Sequence, residues 1–269
     1  MSRYLVGCMG WGYDEWQGPF YPPGTPAVEY LPRYARVFDL AEVDSSFYRP
    51  PSSFLTSRWA SVTPERFVFS LKIPREITHE GPAEGVEERA QRFLQGIEPL
   101  ARSGKLGPVV AQFPPSFRRD RDSGKLERLL ALLSRKGRIA VELRHSSWWV
   151  EDTRRLLEEH KAALVWSVVP QTQPPPWVTS DFLYARFVGD RALTRFDRIQ
   201  RNLRPEMEAM KVQFDKEGLS ALRVYALINN HYMGFGPGSA QILQEVLGLP
   251  VADLTAASRT PGQHRLTES

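Results

Sequence analysis

Four charged residues stand at or beside the ends of short apolar stretches, namely Glu42, Lys72, Glu142 and Arg186. Two carboxylates in unlike surroundings can divide the roles of general acid and general base, and cationic groups hold the negative charge that develops during hydrolysis. We therefore predict these four as catalytic residues, with the two glutamates as the acid/base pair. For Lys72 an electrostatic role is favoured, and a Schiff-base nucleophile is the alternative.

A second set of polar, aromatic and glycine residues accompanies the same stretches. Amide, guanidinium and imidazole groups orient a substrate through hydrogen bonds, and indole rings offer stacking faces. The predicted substrate-binding residues are Trp11, Asp44, Gln112, Arg144, Trp148, Asn229, Asn230, His231 and Gly236. The aromatic residues among them are equally compatible with packing the loops against the fold.

The glycine-rich segment GFGPGSA, residues 234–240, opens a helical pattern with Pro237 near its first turn. Free backbone N–H groups at a helix N-terminus bind anions, so Gly236 is a candidate phosphate-binding residue. Gly189 and Arg191 would lie in the partner loop of such a site. An ordinary glycine turn that caps the helix is the alternative.

Eight short β-branched or aromatic runs, most followed by an amphipathic helical pattern, organise the sequence. Strands and helices that alternate throughout are typical of a parallel sheet, and eight such units close a barrel. The predicted strands are residues 4–9, 40–48, 67–73, 109–113, 138–144, 162–168, 183–188 and 223–229. The predicted helices are near residues 28–38, 86–100, 122–135, 151–160, 197–217 with a break before Pro205, and 236–247.

The pattern predicts an α/β fold, a TIM-type (β/α)8 barrel in a single domain over residues 1–252, with residues 253–269 as a polar C-terminal tail that is expected to fray. A doubly wound sheet is the alternative, but its first turn should carry G-x-G-x-x-G, and GCMGWG does not match. The proline-rich segment at residues 170–177 is predicted to be a stiff loop inserted after the sixth strand.

Alternation along the strands decides which side chains face the barrel axis. In the third strand Leu71 faces outward, while Ser70 and Lys72 face inward, and the same parity turns Glu42 and Glu142 inward. Barrel active sites lie at the C-terminal ends of the strands, so polar inward residues at that end indicate a substrate site. A ring of ion pairs that only fills the mouth is the alternative.

Composition restricts the class of protein. Hydrophobic residues make up 42% and charged residues 25% of the 269 residues, which excludes a disordered chain. The net charge of +4 and pI of about 9.2 favour an anionic small-molecule substrate or weak nucleic-acid contact. Cys8, the only cysteine, allows no intrachain disulfide and is most simply a small buried residue. We expect a cytoplasmic protein without a membrane partner, and the pattern specifies no oligomeric state.

No cofactor motif is evident in the sequence. The histidines at positions 79, 145, 160 and 231 lack the HExxH spacing of a zinc-binding helix. Lone histidines are more often hydrogen-bonded loop residues, so a divalent metal is left open but is not indicated.

Six motifs occur in order between about Gly7 and Ala240: GCMGWGYDEWQGPFYP, EVDSSFYRPPS, FVFSLKIPREITH, AVELRHSSWW, LYARFVG and INNHYMGFGPGSA. Together they resemble the domain of unknown function 72 (YecE-like) family. The resemblance implies a TIM-type barrel but no established activity. The family's recurring residues correspond here to Trp11, Glu42, Lys72, Glu142, Arg144, Arg186, Asn229, Asn230 and His231.

The chain departs from that family's usual pattern at several positions. Cys8 and Met9 stand where a Thr-Ser pair is commoner, Val188 where His is frequent, and Met233 where Glu is common. The loss of a histidine and a carboxylate weakens a metal site. The barrel type is similar to that of the endonuclease-IV and xylose-isomerase superfamily, which by analogy favours phosphodiester or sugar chemistry.

These patterns favour a hydrolase-type acid/base enzyme that acts on a small anionic, phosphorylated or sugar-like substrate at the barrel mouth. Two other classes stay open. One is a nucleic-acid-binding or phosphodiester-processing protein, whose binding would weaken steeply with salt. The other is a noncatalytic scaffold barrel.

Overall fold

The protein forms a closed barrel of parallel strands that follow one another around the barrel in chain order. The structure is a computed structural model that describes residues 3–79, 85–134, 136–169, 173–216 and 222–259. The strands are β1 Tyr4–Met9, β2 Leu40–Val43, β3 Val68–Lys72, β4 Leu106–Gln112, β5 Ile139–Glu142, β6 Ala163–Val168, β7 Phe182–Phe187 and β8 Arg223–Ile228. The predicted TIM-type fold is confirmed.

Helices follow every strand except β6 within the described residues. They are α1 Ala27–Tyr34, α2 Ser53–Ser61, α3 Arg75–Thr78, α4 Val86–Arg102, α5 Arg119–Leu133, α6 Glu151–Glu159, α7 Arg204–Phe214, α8 Asn230–Met233 and α9 Gly236–Val246. The sequence pattern missed α2 because this helix has little apolar face. Thr56 is its buried residue, whereas Phe54 is 78% exposed.

The prediction that strands and helices alternate throughout is wrong between β6 and β7. Residues 173–179 have no helical structure, because proline removes a backbone donor and fixes φ. The indole of Trp166 donates to the carbonyl of Trp177 at 3.0 Å, and the hydroxyl of Thr179 donates to the carbonyl of Ala162 at 2.6 Å. An extended segment therefore covers β6, and residues 170–172 of the predicted loop lie outside the described residues.

The two faces of the sheet carry separate apolar layers, as the predicted alternation requires. Phe69 and Leu71 belong to the outer layer between strands and helices, whereas Val110 and Tyr184 belong to the layer inside the barrel. Cys8 is buried in the outer layer, as expected. The inner face thus changes from apolar to polar residues toward the C-terminal ends of the strands, where the predicted site residues lie.

Part of the predicted C-terminal tail packs against the barrel. Leu254–Ser258 forms a short 3-10 helix in which Ala257 is buried, and the Ala257 carbonyl accepts a hydrogen bond from Arg33 at 3.0 Å. This part of the tail is therefore not frayed. Among the described helices, none has the length and apolar character that crossing a membrane requires.

Helix α4 approaches the loop before α2 closely at Gly96. A Cβ atom at Gly96 would lie 2.1 Å from the carbonyl oxygen of Pro51, and that carbonyl is backbone that cannot rotate away. The hydroxyl of Thr56 donates to the Gly96 carbonyl at 2.6 Å. This contact fixes the loop between β2 and α2, which forms one side of the barrel mouth.

We predict that Gly96→Ala lowers the free energy of unfolding by about 1–3 kcal/mol, because the added methyl group forces the backbones apart. Gly124→Ala is the matched control. Gly124 also lies inside a helix, and its Cβ would meet no atom within 4 Å. The control should raise stability by about 0.5–1 kcal/mol through helix propensity. Denaturant midpoints of both variants measure the difference, and equal effects would contradict the close approach.

Candidate functional site

A cavity of about 810 Å³ opens at the C-terminal mouth of the barrel. Its walls come from the ends of the strands and from the loops that follow them. The lining residues are Asp44, Phe47, Tyr48, Lys72, Arg75, His79, Gln112, Pro114, Pro115, Arg144, Val169, Arg186, Val188, Gly189, Asp190, Arg191, Asn229 and His231. Seven of the predicted site residues are among them, namely Asp44, Lys72, Gln112, Arg144, Arg186, Asn229 and His231.

The cavity wall is predominantly cationic. Five lysine or arginine side chains line it, against two carboxylates. One of these carboxylates, Asp190, is ion-paired with Arg201 at 2.9 Å. The other, Asp44, lies on the floor, where its Oδ1 is 3.6 Å from both Lys72 Nζ and Arg186 Nη2. This charge balance favours an anionic ligand.

Arg186 occupies the centre of the cavity floor. The residue is 2% exposed, and its guanidinium donates to Glu42 Oε1 at 2.6 Å, to Glu142 Oε2, and to Gln112 Oε1 at 3.3 Å. These partners come from β2, β5 and β4, so the arginine of β7 connects strands across the barrel. Its Nε is buried and has no hydrogen-bond partner within the described residues.

The pKa values of the two buried glutamates are shifted in opposite directions. Burial raises the pKa of Glu42 to about 7, against the opposing effect of Arg186. Burial also acts to raise the pKa of Glu142, but Arg186 and Arg144 outweigh it and lower that pKa to about 2. Arg144 contributes to this lower pKa because its Nε donates a hydrogen bond to Glu142 Oε1 at 2.6 Å, in addition to the hydrogen bond from Arg186.

Neither glutamate reaches the cavity. Both side chains are 0% exposed, and neither belongs to the cavity wall. The prediction that Glu42 and Glu142 contact substrate directly as an acid/base pair is therefore wrong, because Arg186 and its neighbours lie between them and the cavity. Asp44, two residues after Glu42, is the accessible carboxylate, and its side chain is 30% exposed.

Lys72 is held between a carboxylate and an aromatic ring. Its Nζ lies 4.5 Å from the ring centroid of Phe47, and the Phe47 ring meets the imidazole of His79 edge-on at 4.9 Å. Burial, followed by the charge of Arg186, lowers the pKa of Lys72. Burial and then the neighbouring cations lower the pKa of His79 to about 4, so its imidazole is neutral at pH 7.

Two predicted stacking residues face away from the cavity. Trp148 is 1% exposed, stacks on Phe117 and donates to the Phe117 carbonyl at 2.9 Å. Trp11 meets the rings of Trp59 and Phe69 edge-on and lines a separate recess of about 300 Å³. These predictions were wrong because both indoles pack loops onto the barrel, which is the alternative that the sequence left open.

The predicted phosphate site at the start of α9 is closed. The amide of Gly236 donates to Asn230 Oδ1 at 2.8 Å, and the same oxygen accepts from the indole of Trp16 at 3.2 Å. A Cβ at Gly236 would lie 2.9 Å from that oxygen, and Asn230 is itself 2% exposed. Asn230 and Gly236 therefore pack the first and last loops together, and the expectation that they bind substrate is wrong.

Asn229 and His231, in contrast, do line the cavity. The Asn229 side chain caps α8 by accepting from the His231 amide at 3.0 Å, and its Nδ2 lies 3.6 Å from the sulfur of Met9. The imidazole Nδ1 of His231 lies 2.9 Å from the carbonyl oxygen of Leu193. These contacts join the loop after β7 to the end of β8.

The loop after β7 passes very close to α8. Gly189 has φ +79°, and a Cβ there would lie 2.2 Å from the His231 carbonyl oxygen. Arg191, a cavity residue, has φ +64°, which is a strained conformation for a side chain other than glycine. Gly189 and Arg191 both line the cavity, whereas the glycine-rich loop predicted to share an anion with them is closed.

Sequence reasoning did not assign several cavity residues to the site, among them Phe47, Tyr48, Arg75 and His79. They lie beyond the ends of β2 and β3, in the motifs EVDSSFYRPPS and FVFSLKIPREITH. The predicted second strand, residues 40–48, ends at Val43 and continues as a 3-10 helix over Asp44–Phe47, so strand parity gave no valid orientation for Phe47 and Tyr48. Arg75 and His79 lie beyond the predicted third strand, where parity does not apply. Their place within motifs that also hold Asp44 and Lys72 was the signal that could have identified them.

The described residues contain no group of three His, Cys, Asp or Glu side chains placed to share a metal ion. Two positions that depart from the family's usual pattern touch the site. The sulfur of Met9 accepts a hydrogen bond from Arg186 at 3.5 Å, and Val188 lines the cavity.

The sequence profile described as "Protein of unknown function DUF72" matches residues 5–264. Among curated relatives, UPF0759 protein YunF of Bacillus subtilis (strain 168) is 32% identical over 150 residues, which is 54% of this chain and 51% of YunF. UPF0759 protein YecE of Escherichia coli (strain K12) is 25% identical over 146 residues, which is 54% of this chain and 50% of YecE. In these alignments the chain spans about half the length of the curated relatives that it matches.

Solved structures match over nearly the whole chain. A DUF72 family protein from Thermotoga maritima MSB8 is 28% identical with a TM-score of 0.76, covering 91% of this chain and 99% of that one. A DUF72 family protein from Enterococcus faecalis V583 has the same TM-score at 23% identity, covering 97% and 100%, and supports the fold alone. The fold and the match over residues 5–264 agree, and the chain belongs to the DUF72 family.

Proposed function

We propose that this protein is an enzyme that binds a small phosphorylated molecule in the mouth cavity and hydrolyses it by acid/base catalysis. The single observation that carries the proposal is the cationic floor formed by Lys72 and Arg186 beneath a cavity of about 810 Å³. A cavity of this volume accommodates a metabolite-sized ligand. Phosphate is favoured because the ammonium of Lys72 and the guanidinium of Arg186 lie close together, each 3.6 Å from Asp44 Oδ1 on the floor.

Three cationic side chains are placed to hold the phosphate. Lys72, Arg144 and Arg186 come from β3, from the loop after β5 and from β7, and all three line the cavity. Lys72 and Arg186 are almost buried, with side chains 11% and 3% exposed, so water screens their charge little. Such preorganised cations stabilise the charge that develops in phosphoryl transfer.

Asp44 is the residue that we assign to proton transfer. Its carboxylate is 3.6 Å from both Lys72 Nζ and Arg186 Nη2, so a phosphate held by these cations would lie beside it. In this position it would accept a proton from the attacking water while the cations hold the phosphoryl oxygens. Asp190, the other cavity carboxylate, is engaged with Arg201. We therefore assign to Asp44 the acid/base role that the sequence analysis predicted for Glu42 and Glu142.

We predict that Lys72→Met weakens the binding of pyrophosphate by roughly 10- to 100-fold, because a charge-assisted hydrogen bond is lost from a nearly buried position. Titration calorimetry at constant pH and ionic strength measures this change. Lys211→Met is the matched control, since it removes the same charge from α7, outside the cavity. Equal affinities for the two variants would contradict the assignment of the cavity as the anion site.

The same titrations separate a small phosphorylated ligand from nucleic acid. An oligonucleotide bound along the basic surface would release many counterions, so its affinity would fall steeply with salt. Such binding would be lowered similarly by Lys72→Met and by the control. That outcome, with no pyrophosphate binding, would replace the proposed function with nucleic-acid binding.

We predict that Asp44→Asn lowers the turnover of p-nitrophenyl phosphate or bis(p-nitrophenyl) phosphate by about 10²- to 10⁴-fold, while it strengthens pyrophosphate binding. Binding improves because a negative charge leaves the floor, and turnover falls because the proton acceptor is gone. Asp190→Asn removes the same charge from the wall and should retain turnover. Pyrophosphate binding without hydrolysis of either ester by the parent protein would indicate a noncatalytic barrel.

A further inference from the structure

Beneath the cavity floor, three side-chain oxygens and one backbone carbonyl form a continuous row. Oε2 of Glu42 lies 2.7 Å from Oη of Tyr184, which lies 2.6 Å from Oγ of Ser70. Oγ of Ser70 lies 2.5 Å from the carbonyl oxygen of Pro108. The three side chains are completely buried. Each of these O···O distances is short enough to require a hydrogen between the two oxygens.

The number of available hydrogens determines the state of Glu42. The Pro108 carbonyl only accepts, so its contact uses the single hydroxyl hydrogen of Ser70. The contact between Ser70 and Tyr184 then uses the phenolic hydrogen, because the serine has no second one. The contact between Tyr184 and Glu42 has no hydrogen left unless the carboxyl group supplies it.

An ionised Glu42 would leave one of the three contacts without a hydrogen. Two oxygens would then face each other at 2.5–2.7 Å in a site without solvent, which is unfavourable. We therefore propose that Glu42 is a neutral carboxylic acid that carries its proton on Oε2, and that this proton sets the charge of the cavity floor. Its Oε1 still accepts from Arg186 at 2.6 Å, as a neutral carboxyl oxygen can.

The surroundings of Glu42 agree with a retained proton. The titratable and charged groups that face it are Tyr13, Asp44, Lys72, Tyr184 and Arg186. Burial is the largest influence on its pKa and raises it, and the Asp44 carboxylate raises it further. The cations Arg186 and Lys72 act in the opposite direction, and the resulting pKa is about 7.

Protonation of Glu42 changes the net charge that the cavity floor presents to a ligand. The floor cations Arg186, Arg144 and Lys72 face the carboxylates of Glu142 and Asp44, so a neutral Glu42 leaves one positive charge in excess. Loss of the proton would balance the charges and weaken the attraction for an anion. Glu42 therefore acts as a positioning and charge-setting residue below the site, and this consequence rests on the proposed function.

The test compares Glu42→Gln with Glu142→Gln. A glutamine amide reproduces a protonated carboxyl group, since its NH₂ donates to Tyr184 and its oxygen accepts from Arg186. We expect Glu42→Gln to lower the Tm by no more than about 2 °C at pH 7. Glu142→Gln is the matched control, because it removes an ionised partner of two arginines, and should lower the Tm by on the order of 10 °C. A large loss for Glu42→Gln would overturn the proposal.

The pH dependence of these differences provides a second readout. Because the pKa of Glu42 is raised in the folded state, its contribution to stability is present below about pH 4.5 and is lost as the pH rises through 7. Glu42→Gln should therefore gain stability relative to the parent over this interval. The pKa of Glu142 is lowered to about 2, so the deficit of Glu142→Gln should shrink as the pH falls from about 4.5 toward 2. The opposite trend for Glu42 would contradict a retained proton.

Infrared spectroscopy tests whether Glu42 is protonated, and sulfate binding tests whether that proton sets the charge of the cavity floor. The parent at about pH 5 should show the carbonyl stretch of a buried carboxylic acid, and Glu42→Gln should lack it. Sulfate keeps its charge between about pH 5 and 9, so its affinity for the parent should fall several-fold near pH 7 and stay constant for Glu42→Gln. An absent infrared band overturns the proposal, whereas a present band with no sulfate binding overturns only the proposed function.

Discussion

The buried guanidinium of Arg186 is the interaction on which the mouth of this barrel depends. Removing a guanidinium from water is costly unless carboxylates and further acceptors surround it. Here Glu42, Glu142 and Gln112 approach it from three other strands, so its pairing also holds opposite sides of the barrel together. The cationic floor and the closure of the strand ends therefore use the same group.

The two glutamates around Arg186 show how neighbours distinguish identical side chains. Both are completely buried and both bind the same guanidinium. Glu142 has Arg144 as its second partner, which favours the carboxylate, whereas Glu42 has the hydroxyl of Tyr184 and the row of oxygens behind it. Burial raises the pKa of Glu42, whereas the second cation beside Glu142 helps to outweigh burial and lowers the pKa of that carboxyl, so two equally buried glutamates differ in charge.

The sequence predicted the barrel, every strand and the inward direction of the polar residues, because period-two alternation and the order of elements are local signals. It could not show how deep an inward residue lies, so Glu42 and Glu142 were assigned to a surface that they do not reach. It also could not separate an aromatic residue that packs a loop from one that stacks on a ligand, as Trp148 illustrates. Phe47 and His79 were missed because loop geometry beyond a strand end follows from tertiary contacts.

The extended segment at residues 173–179 takes the place of a helix on the outer side of β6. Elsewhere the wall is a strand backed by a helix, but here prolines 174–176 hold a single chain against Trp166 by restricting its conformational freedom. Thr179 then ties this chain to the start of β6 through its hydroxyl. This segment therefore covers the outer side of β6 through two hydrogen bonds, from Trp166 and Thr179, in the place where the other strands have a helix.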